Sequence, residues 1–135
     1  MTHEFIAPCW SIQVATGWFS EQEDECATFW REDGVGALQI SAHSHDSGTV
    51  PQDDLDDFTR GEFPDGAALE PVRSGEFEGV GVDFVKDGKF WRKRWLIKGG
   101  LLVYVTYNSD AQDQSMEKEA VNEMIATLKS HFPAA

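Results

Sequence analysis

The feature that most constrains the fold is a run of alternating apolar segments, separated by short glycine-containing turns, in the second half of the chain. The segments lie at 68–73, 77–85, 90–97 and 101–107, and the turns are Ser74-Gly75, Asp87-Gly88 and Gly99-Gly100. Turns this short join only antiparallel neighbours, because a parallel pair needs a crossover of a dozen or more residues. The sequence therefore predicts a four-stranded antiparallel meander.

The first third of the chain shows the same alternation. A strand is predicted at 8–16, with its large apolar residues on one face. A second strand at 26–31 is predicted to pair with it as a hairpin, with the acidic run 21–25 in the connection. A third strand at 35–42 follows the turn dipeptide Asp33-Gly34.

Two helices complete the pattern. The first follows Pro51, which a first helical turn tolerates, and ends near Gly61. The second is predicted to be capped by Ser115, with Glu117 favouring its N-terminus. Its apolar stripe has helical spacing and should lie across the sheet; the stripe consists of Val121, Met124, Ile125 and Leu128.

These elements predict an α+β protein with a single antiparallel β-sheet of about six to seven strands, packed by two helices in the order βββαββββα. A length of 135 residues fits one domain spanning 1–135. Apolar residues make up 41% of the chain, which is enough for a buried core.

A strong acidic excess restricts the partners. The chain has 24 acidic and 11 basic residues, a formal charge of −13, which repels phosphate backbones and anionic membranes. We therefore predict no nucleic acid partner and no membrane partner. Between Lys86 and Lys98 six bases accompany one acid, so this segment carries +5 and the rest of the chain −18.

Cysteine usage and the first residues indicate a compartment. Cys9 and Cys26 are too few for a disulfide framework and lack metal-site spacing, so buried thiols are expected. The start of the chain has no basic and apolar signal pattern, and no apolar run approaches eighteen residues. A cytoplasmic protein is predicted.

The order of elements resembles the PsbP-like fold family, which includes a nuclear import factor that binds the GTPase Ran. The resemblance rests on the aromatic strand that opens at Pro8 and on the phrase Gly36-Ala37-Leu38-Gln39-Ile40-Ser41 before the first helix. It implies a central antiparallel sheet packed by helices, and a function carried by protein contacts more often than by chemistry. It transfers no binding residue to a position of this sequence.

The segment 43–46 carries the side chains most typical of a chemical site. His43 and His45 point the same way on an extended strand, and Asp46 could complete a metal site or orient a base. A polar loop without a third ligand placed by spacing favours a solvated segment instead. The three residues remain the alternative pocket or metal site, and no resident metal or cofactor is predicted.

A basic and aromatic strand offers candidate contact residues. Alternation over 89–95 puts Arg92 and Arg94 on one face and Trp91 and Trp95 on the other. Arg and Trp are frequent interface anchors. The alternative is that one Trp lies in the core and the bases neutralise neighbouring acidic strands.

Two acidic runs, 21–25 apart from its cysteine-proximal end and 53–57, could steer a basic partner by complementary potential. Aromatic residues beside each run could add apolar anchors. The second run lacks the glycine and ligand spacing of a calcium loop, and reads as a helix. The candidate contact residues here are Trp18, Phe19, Asp53, Asp54, Asp56, Asp57 and Phe58.

The leading interpretation is a non-enzymatic protein-binding module, an accessory or immunity-type protein that binds a basic partner protein. No catalytic constellation is evident, so the sequence leans against an enzyme without deciding the question. The alternative is a small-ligand-binding or metal-dependent enzyme domain that uses a pocket between sheet and helix, lined by His43, His45 and Asp46 or by Trp91 and Trp95. A monomer and a homodimer joined through an edge strand are both compatible with the pattern.

Overall fold

Ten β-strands and two α-helices make up the part of the chain that the computed structural model describes, residues 2–45 and 48–131. The strands are β1 (His3–Ile6), β2 (Trp10–Val14), β3 (Trp18–Glu23), β4 (Cys26–Arg31), β5 (Gly36–Ser44), β6 (Glu70–Ser74), β7 (Phe77–Lys86), β8 (Lys89–Lys98), β9 (Leu101–Asp110) and β10 (Lys129–Ser130). The helices are α1 (Gln52–Thr59), between β5 and β6, and α2 (Lys118–Ile125), between β9 and β10.

The strands form two antiparallel sheets. The main sheet has seven strands in the order β3-β4-β5-β9-β8-β7-β6, and a small sheet has the order β1-β2-β10. Local turns set most pairings of the main sheet. Asp87 and Gly88 both have positive φ, at 53° and 78°, which is the conformation of the tight turn that matches strand twist. β9 is inserted between β5 and β8 and is therefore central.

The main sheet has a core on each face. Its first face packs against the small sheet and α2, and the cluster includes Trp10, Phe29, Val105 and Met124. The second face packs against α1 and the segment that follows it, around Trp95. β9 is buried on both faces, which explains why its sequence is nearly continuously apolar instead of alternating.

The α+β class and the antiparallel sheet agree with the sequence-based prediction, and all seven predicted strands coincide with observed strands, namely β2 and β4 to β9. The small sheet is an addition to the single sheet predicted. The predicted hairpin between 8–16 and 26–31 is wrong: β4 pairs with β3, and β2 pairs with β1 and β10. The acidic run 21–25 is a connection only in part: residues 21–23 belong to β3, an edge strand whose acidic side chains reach solvent.

The start of the second helix also differs from the prediction. α2 begins at Lys118, and Glu117, not Ser115, occupies the N-cap position. No side-chain capping hydrogen bond forms there, because the Glu117 carboxylate turns into the interior and accepts from Tyr107. The predicted apolar stripe of α2 is confirmed as buried. Within the described ranges, no helix has the length and hydropathy of a membrane span.

Candidate functional site

The acidic residues of α1 form an outward-facing surface. Leu55 is buried against the sheet, whereas Asp53, Asp56 and Asp57 are exposed. The positive end of the helix dipole favours carboxylates in the first turn, which suits Asp53. One base on this surface, Arg60, contacts Asp57 at 3.0 Å, so α1 stays net negative.

A cavity of about 320 Å³ lies between α1 and the sheet beneath it. The turn between β3 and β4 contributes Glu25 to its wall, and α1 contributes Phe58. The first acidic run therefore reaches the cavity through Glu25, whereas the helix that carries the second run reaches it through Phe58. Among the residues that the structure describes, the lining consists of Glu25, Ser41, Ala42, His43, Phe58, Glu62, Trp95, Leu102 and Tyr104.

The Glu62 carboxylate is the most highly organised polar group of this cavity. The Tyr104 hydroxyl donates to Glu62 Oε1 at 3.0 Å, and Lys93 Nζ donates to the same oxygen at 3.3 Å. Burial, with the hydrogen bond to Glu62, raises the pKa of Tyr104 well above its usual value. The phenol therefore stays protonated and keeps donating. Trp95 stacks on Tyr104 with ring centroids 5.3 Å apart.

A second cavity, of about 260 Å³, lies on the other side of Glu62. Lys93 lines it, with its Nζ 5.4 Å from the centroid of Trp91 and 5.9 Å from that of Phe84. Such distances are within the range of cation–π attraction. Glu62 therefore lines both cavities. The second cavity contains Lys93, whereas the cavity beneath α1 contains Glu25.

The basic strand is neutralised by its neighbours. Arg92 donates to both oxygens of Asp83, at 3.1 and 3.0 Å, and Arg94 donates to Asp83 at 3.2 Å. At the strand ends Lys89 pairs with Asp110 and Lys98 with Glu76. The alternating faces predicted for β8 are confirmed by its register with β7 and β9. The alternative interpretation of this strand, core aromatics with neutralised bases, fits these contacts.

We expect acid to weaken the fold through Asp83. Burial alone would raise the pKa of Asp83, but hydrogen bonds and charges from Arg92 and Arg94 outweigh burial and hold it below its usual value of 3.8. A lowered folded-state pKa gives stability that is present above the unfolded value and lost as pH falls through the folded value, here below about pH 4. In urea denaturation at pH 5 and pH 3, Asp83→Asn should lose less stability on acidification than the wild type. An unchanged pH dependence would contradict this, and Asp57→Asn, on exposed α1, is the control.

The predicted contact residues fall into two groups. Trp18, Arg92 and Trp95 are buried, so they do not lie on the outer surface, although Trp95 forms part of the cavity wall beneath α1. The apolar environments of the two cores and the carboxylate of Asp83 account for their burial. Phe19 is 48% exposed and stacks obliquely on Trp30. Phe58, Trp91 and Arg94 are partly buried, and the α1 aspartates remain accessible.

The histidine segment is divided between two environments. His43 lines the cavity and meets Phe58 edge to face, with ring centroids 5.1 Å apart. His45 Nε2 lies 3.6 Å from Asp54 Oδ2, which ties the loop to α1. Asp46 lies outside the described residues. In the described part of the chain, no group of three or more His, Cys, Asp or Glu residues is placed to hold a metal ion.

Sequence analysis missed Glu25, Glu62 and Tyr104 as site residues. Tyr104 pairs with Trp95 across β9 and β8, so strand alternation would have placed both on one face once the register was known. Glu62 follows α1 in a segment without periodic pattern, so no local signal marks it. The hydrogen-bond partners of Glu62, Lys93 and Tyr104, lie 31 and 42 residues away in the sequence.

No protein-family model matches the sequence, and no curated protein matches it. Solved structures do match. The chain aligns over 96% of its length with cyanobacterial PsbP of Synechocystis sp. PCC 6803, covering 92% of that chain at a TM-score of 0.62 and 10% identity. It aligns equally with the Ran-binding protein Mog1p of Saccharomyces cerevisiae, covering 95% of that chain at a TM-score of 0.56 and 11% identity. The chain has the PsbP-like fold.

Two further structures agree with the PsbP-like fold. LpqN is involved in cell envelope biogenesis of Mycobacterium tuberculosis. Its structure aligns with 96% of this chain, and the alignment covers 91% of LpqN at a TM-score of 0.65 and 11% identity. A protein of Bacteroides thetaiotaomicron aligns with 98% of this chain at a TM-score of 0.67 and 20% identity, but the chain spans only 49% of it. The family resemblance predicted from the sequence is thus confirmed at the level of the fold.

Proposed function

We propose that this chain is a protein-binding module whose acidic cleft binds a basic segment of a partner protein. The acidic cleft is the cavity beneath α1, which Glu25 and Glu62 line, together with the exposed aspartates of α1, Asp53, Asp56 and Asp57. The observation that carries the proposal is that two carboxylates, Glu25 and Glu62, line a cavity whose wall includes Phe58 of α1, the helix that exposes the second acidic run. Convergent negative charge beside a concave surface attracts and orients a cationic partner.

The charge of the rest of the molecule supports a basic partner. The net charge is −13, and ion pairs to acidic neighbours occupy the main bases of β8. A phosphate backbone or an anionic membrane would meet repulsion at the acidic cleft. We therefore infer a protein partner and no role for nucleic acid or a membrane surface.

The class of partner is supported by one structure of the same fold. Mog1p is a Ran-binding protein. Because a shared fold does not fix function, the proposal rests on the acidic cleft and takes from Mog1p only the precedent of protein binding. For the compartment we propose the cytoplasm, which suits two cysteines that form no disulfide.

Removing the negative charge of α1 should weaken capture of the partner. The test variant is the triple substitution Asp53→Asn, Asp56→Asn and Asp57→Asn, which keeps side-chain size. We expect proteins captured from source-cell lysate at low salt to be lost at high salt, and lost with this variant. Once a partner has been captured and purified, its association rate with the triple variant should be about ten-fold lower than with the wild type, since electrostatic steering acts mainly on association.

The matched control removes three charges from another surface. Glu4, Glu119 and Glu123 are exposed residues on β1 and α2. A triple change of these glutamates to glutamine gives the same net charge as the test variant. Equal losses with both variants would show a non-specific charge effect, and capture that resists both salt and the test variant would refute the proposed cleft.

A second candidate function is small-ligand binding in the cavity beneath α1. Its volume of about 320 Å³ lies at the lower end of the range for ligand sites, and a few polar groups converge on aromatic walls. Native mass spectrometry of protein purified without a histidine tag distinguishes the two candidates. A stoichiometric bound small molecule would favour this second function over protein binding.

A further inference from the structure

The surroundings of Lys93 resemble an ammonium-binding site, because a carboxylate and two aromatic rings lie around its amino group. Lys93 Nζ lies 3.3 Å from Glu62 Oε1 and within cation–π distance of Trp91 and Phe84. The side chain of Lys93 is only 13% exposed, so its charge is compensated in a nearly dry environment. One carboxylate and two aromatic rings therefore surround the ammonium group of Lys93.

The cavity beneath α1 presents the same kinds of group on the other side of Glu62. Its wall includes Glu62, the stacked pair Trp95 and Tyr104, and the ring of Phe58. Glu25 adds a second carboxylate from the turn between β3 and β4. Among the lining residues that the structure describes there is no lysine or arginine.

The local charges favour a cation in this cavity. Lys93 balances one of the two carboxylates, which leaves the wall net negative. Tyr104 and Lys93 both contact Oε1 of Glu62, and these two bonds fix the orientation of the carboxylate from one side. A second cation on the cavity side would gain a charge-assisted contact with an acceptor that is already positioned.

We propose that the cavity beneath α1 binds a primary ammonium or guanidinium group, and that a lysine or arginine side chain of the protein partner supplies it. This inference rests on the protein-binding function proposed above and names the group that enters the acidic cleft. A volume of about 320 Å³ suits the end of one long side chain, whose methylene stem would lie along Phe58 and Trp95. The α1 aspartates then attract the partner, while the cavity recognises one residue of it.

A lysine mimic tests the cavity without any knowledge of the partner. The probe is Nα-acetyl-lysine N-methylamide, and the control is the norleucine analogue, which has a similar length and no charge. In NMR titrations of the full chain, the lysine compound should shift the Trp95 indole and Tyr104 ring signals saturably, with a Kd on the order of millimolar for such a small contact. Equal shifts with both compounds, or none with either, would overturn the cation site.

Two variants separate recognition from folding. Glu25→Gln changes an exposed turn residue, so it should leave stability unchanged and weaken lysine binding about three-fold. Glu62→Gln removes the positioned charge and should weaken binding about ten-fold. Glu119→Gln, on exposed α2, is the control and should change nothing. Binding unaffected by Glu25→Gln and Glu62→Gln would overturn the assignment.

The outcomes distinguish this inference from the function on which it rests. Salt-sensitive capture that depends on the α1 aspartates, combined with no response to the lysine probe, would overturn the cavity assignment and leave protein binding supported. A clear lysine response without any captured protein would refute the partner as the source of the cation. A small amine found tightly bound to the purified chain would do the same.

Discussion

Gly79→Ala should lower the free energy of unfolding by about 3 kcal/mol, one of the largest effects expected from adding a single methyl group to this chain. Gly79 lies in β7 opposite Leu96 of β8. A Cβ at this position would collide with the carbonyl group of Trp95, which belongs to the backbone of β8. Since backbone atoms cannot move aside without disturbing the strand pair, β7 and β8 would have to separate locally.

Gly81 provides a matched control in the same strand. A Cβ at Gly81 would meet the Arg94 side chain rather than backbone, and a side chain can move away. We expect Gly81→Ala to cost about 1 kcal/mol or less, because reduced freedom of the unfolded chain offsets part of the crowding. Urea denaturation followed by tryptophan fluorescence measures both variants. Equal losses would show that β-sheet propensity and not the collision determines the effect.

The strands that the sequence predicted correctly are those defined by local pattern. β4 was predicted over 26–31 and is observed over Cys26–Arg31, because both its ends are marked by turns. The turns at Asp87-Gly88 and Gly99-Gly100 place β7, β8 and β9 side by side. Period-two alternation and turn chemistry act over a few residues, and so they can be read without the tertiary structure.

β3 escaped prediction for a physical reason. Its residues Glu21 and Glu23 are unfavourable in a strand that is buried on both faces, and acidic runs usually lie in turns or helices. At the edge of the sheet these side chains extend into solvent, where their charge costs little and discourages pairing with another chain. Position within the sheet, which the local sequence does not encode, decided the structure of this run.

The candidate site was only half predictable for a similar reason. The acidic runs are visible in the sequence, but the cavity between α1 and the sheet, with Glu25 of the β3–β4 turn in its wall, depends on how α1 is placed. The Glu62 contacts depend on the same placement. Burial also differs between two residues that the sequence makes equal candidates for partner contact: Trp91 is partly accessible, whereas Trp95 lies in the core beneath α1. The site is formed by contacts between residues that are distant in the sequence, and hydrophobic periodicity does not reveal such contacts.

Glu117→Ala should destabilise the protein by about 3 kcal/mol and lower Tm by roughly 10 °C. The Glu117 carboxylate is fully buried and accepts from Arg31 Nε at 2.6 Å and from the Tyr107 hydroxyl at 2.7 Å. This contact joins the start of α2 to β4 and β9. Truncation would leave the Tyr107 hydroxyl without its acceptor in the interior. Arg31 is 37% exposed and can be partly hydrated, which keeps the loss at the lower end of the range for a broken buried pair.

Four further variants show whether the buried contact is responsible for this loss. Glu119→Ala, two residues along the chain on the exposed side of α2, should cost less than about 0.5 kcal/mol. Glu117→Gln keeps an acceptor for Tyr107 and should lose about half as much as Glu117→Ala. In the double variant Glu117→Ala with Tyr107→Phe, the hydroxyl that would be left unpaired is gone. The double variant should therefore lose less stability than the sum of the losses of Glu117→Ala and Tyr107→Phe measured separately. Strict additivity in thermal and urea denaturation would mean that Glu117 stabilises α2 by some other route than its contact with Tyr107.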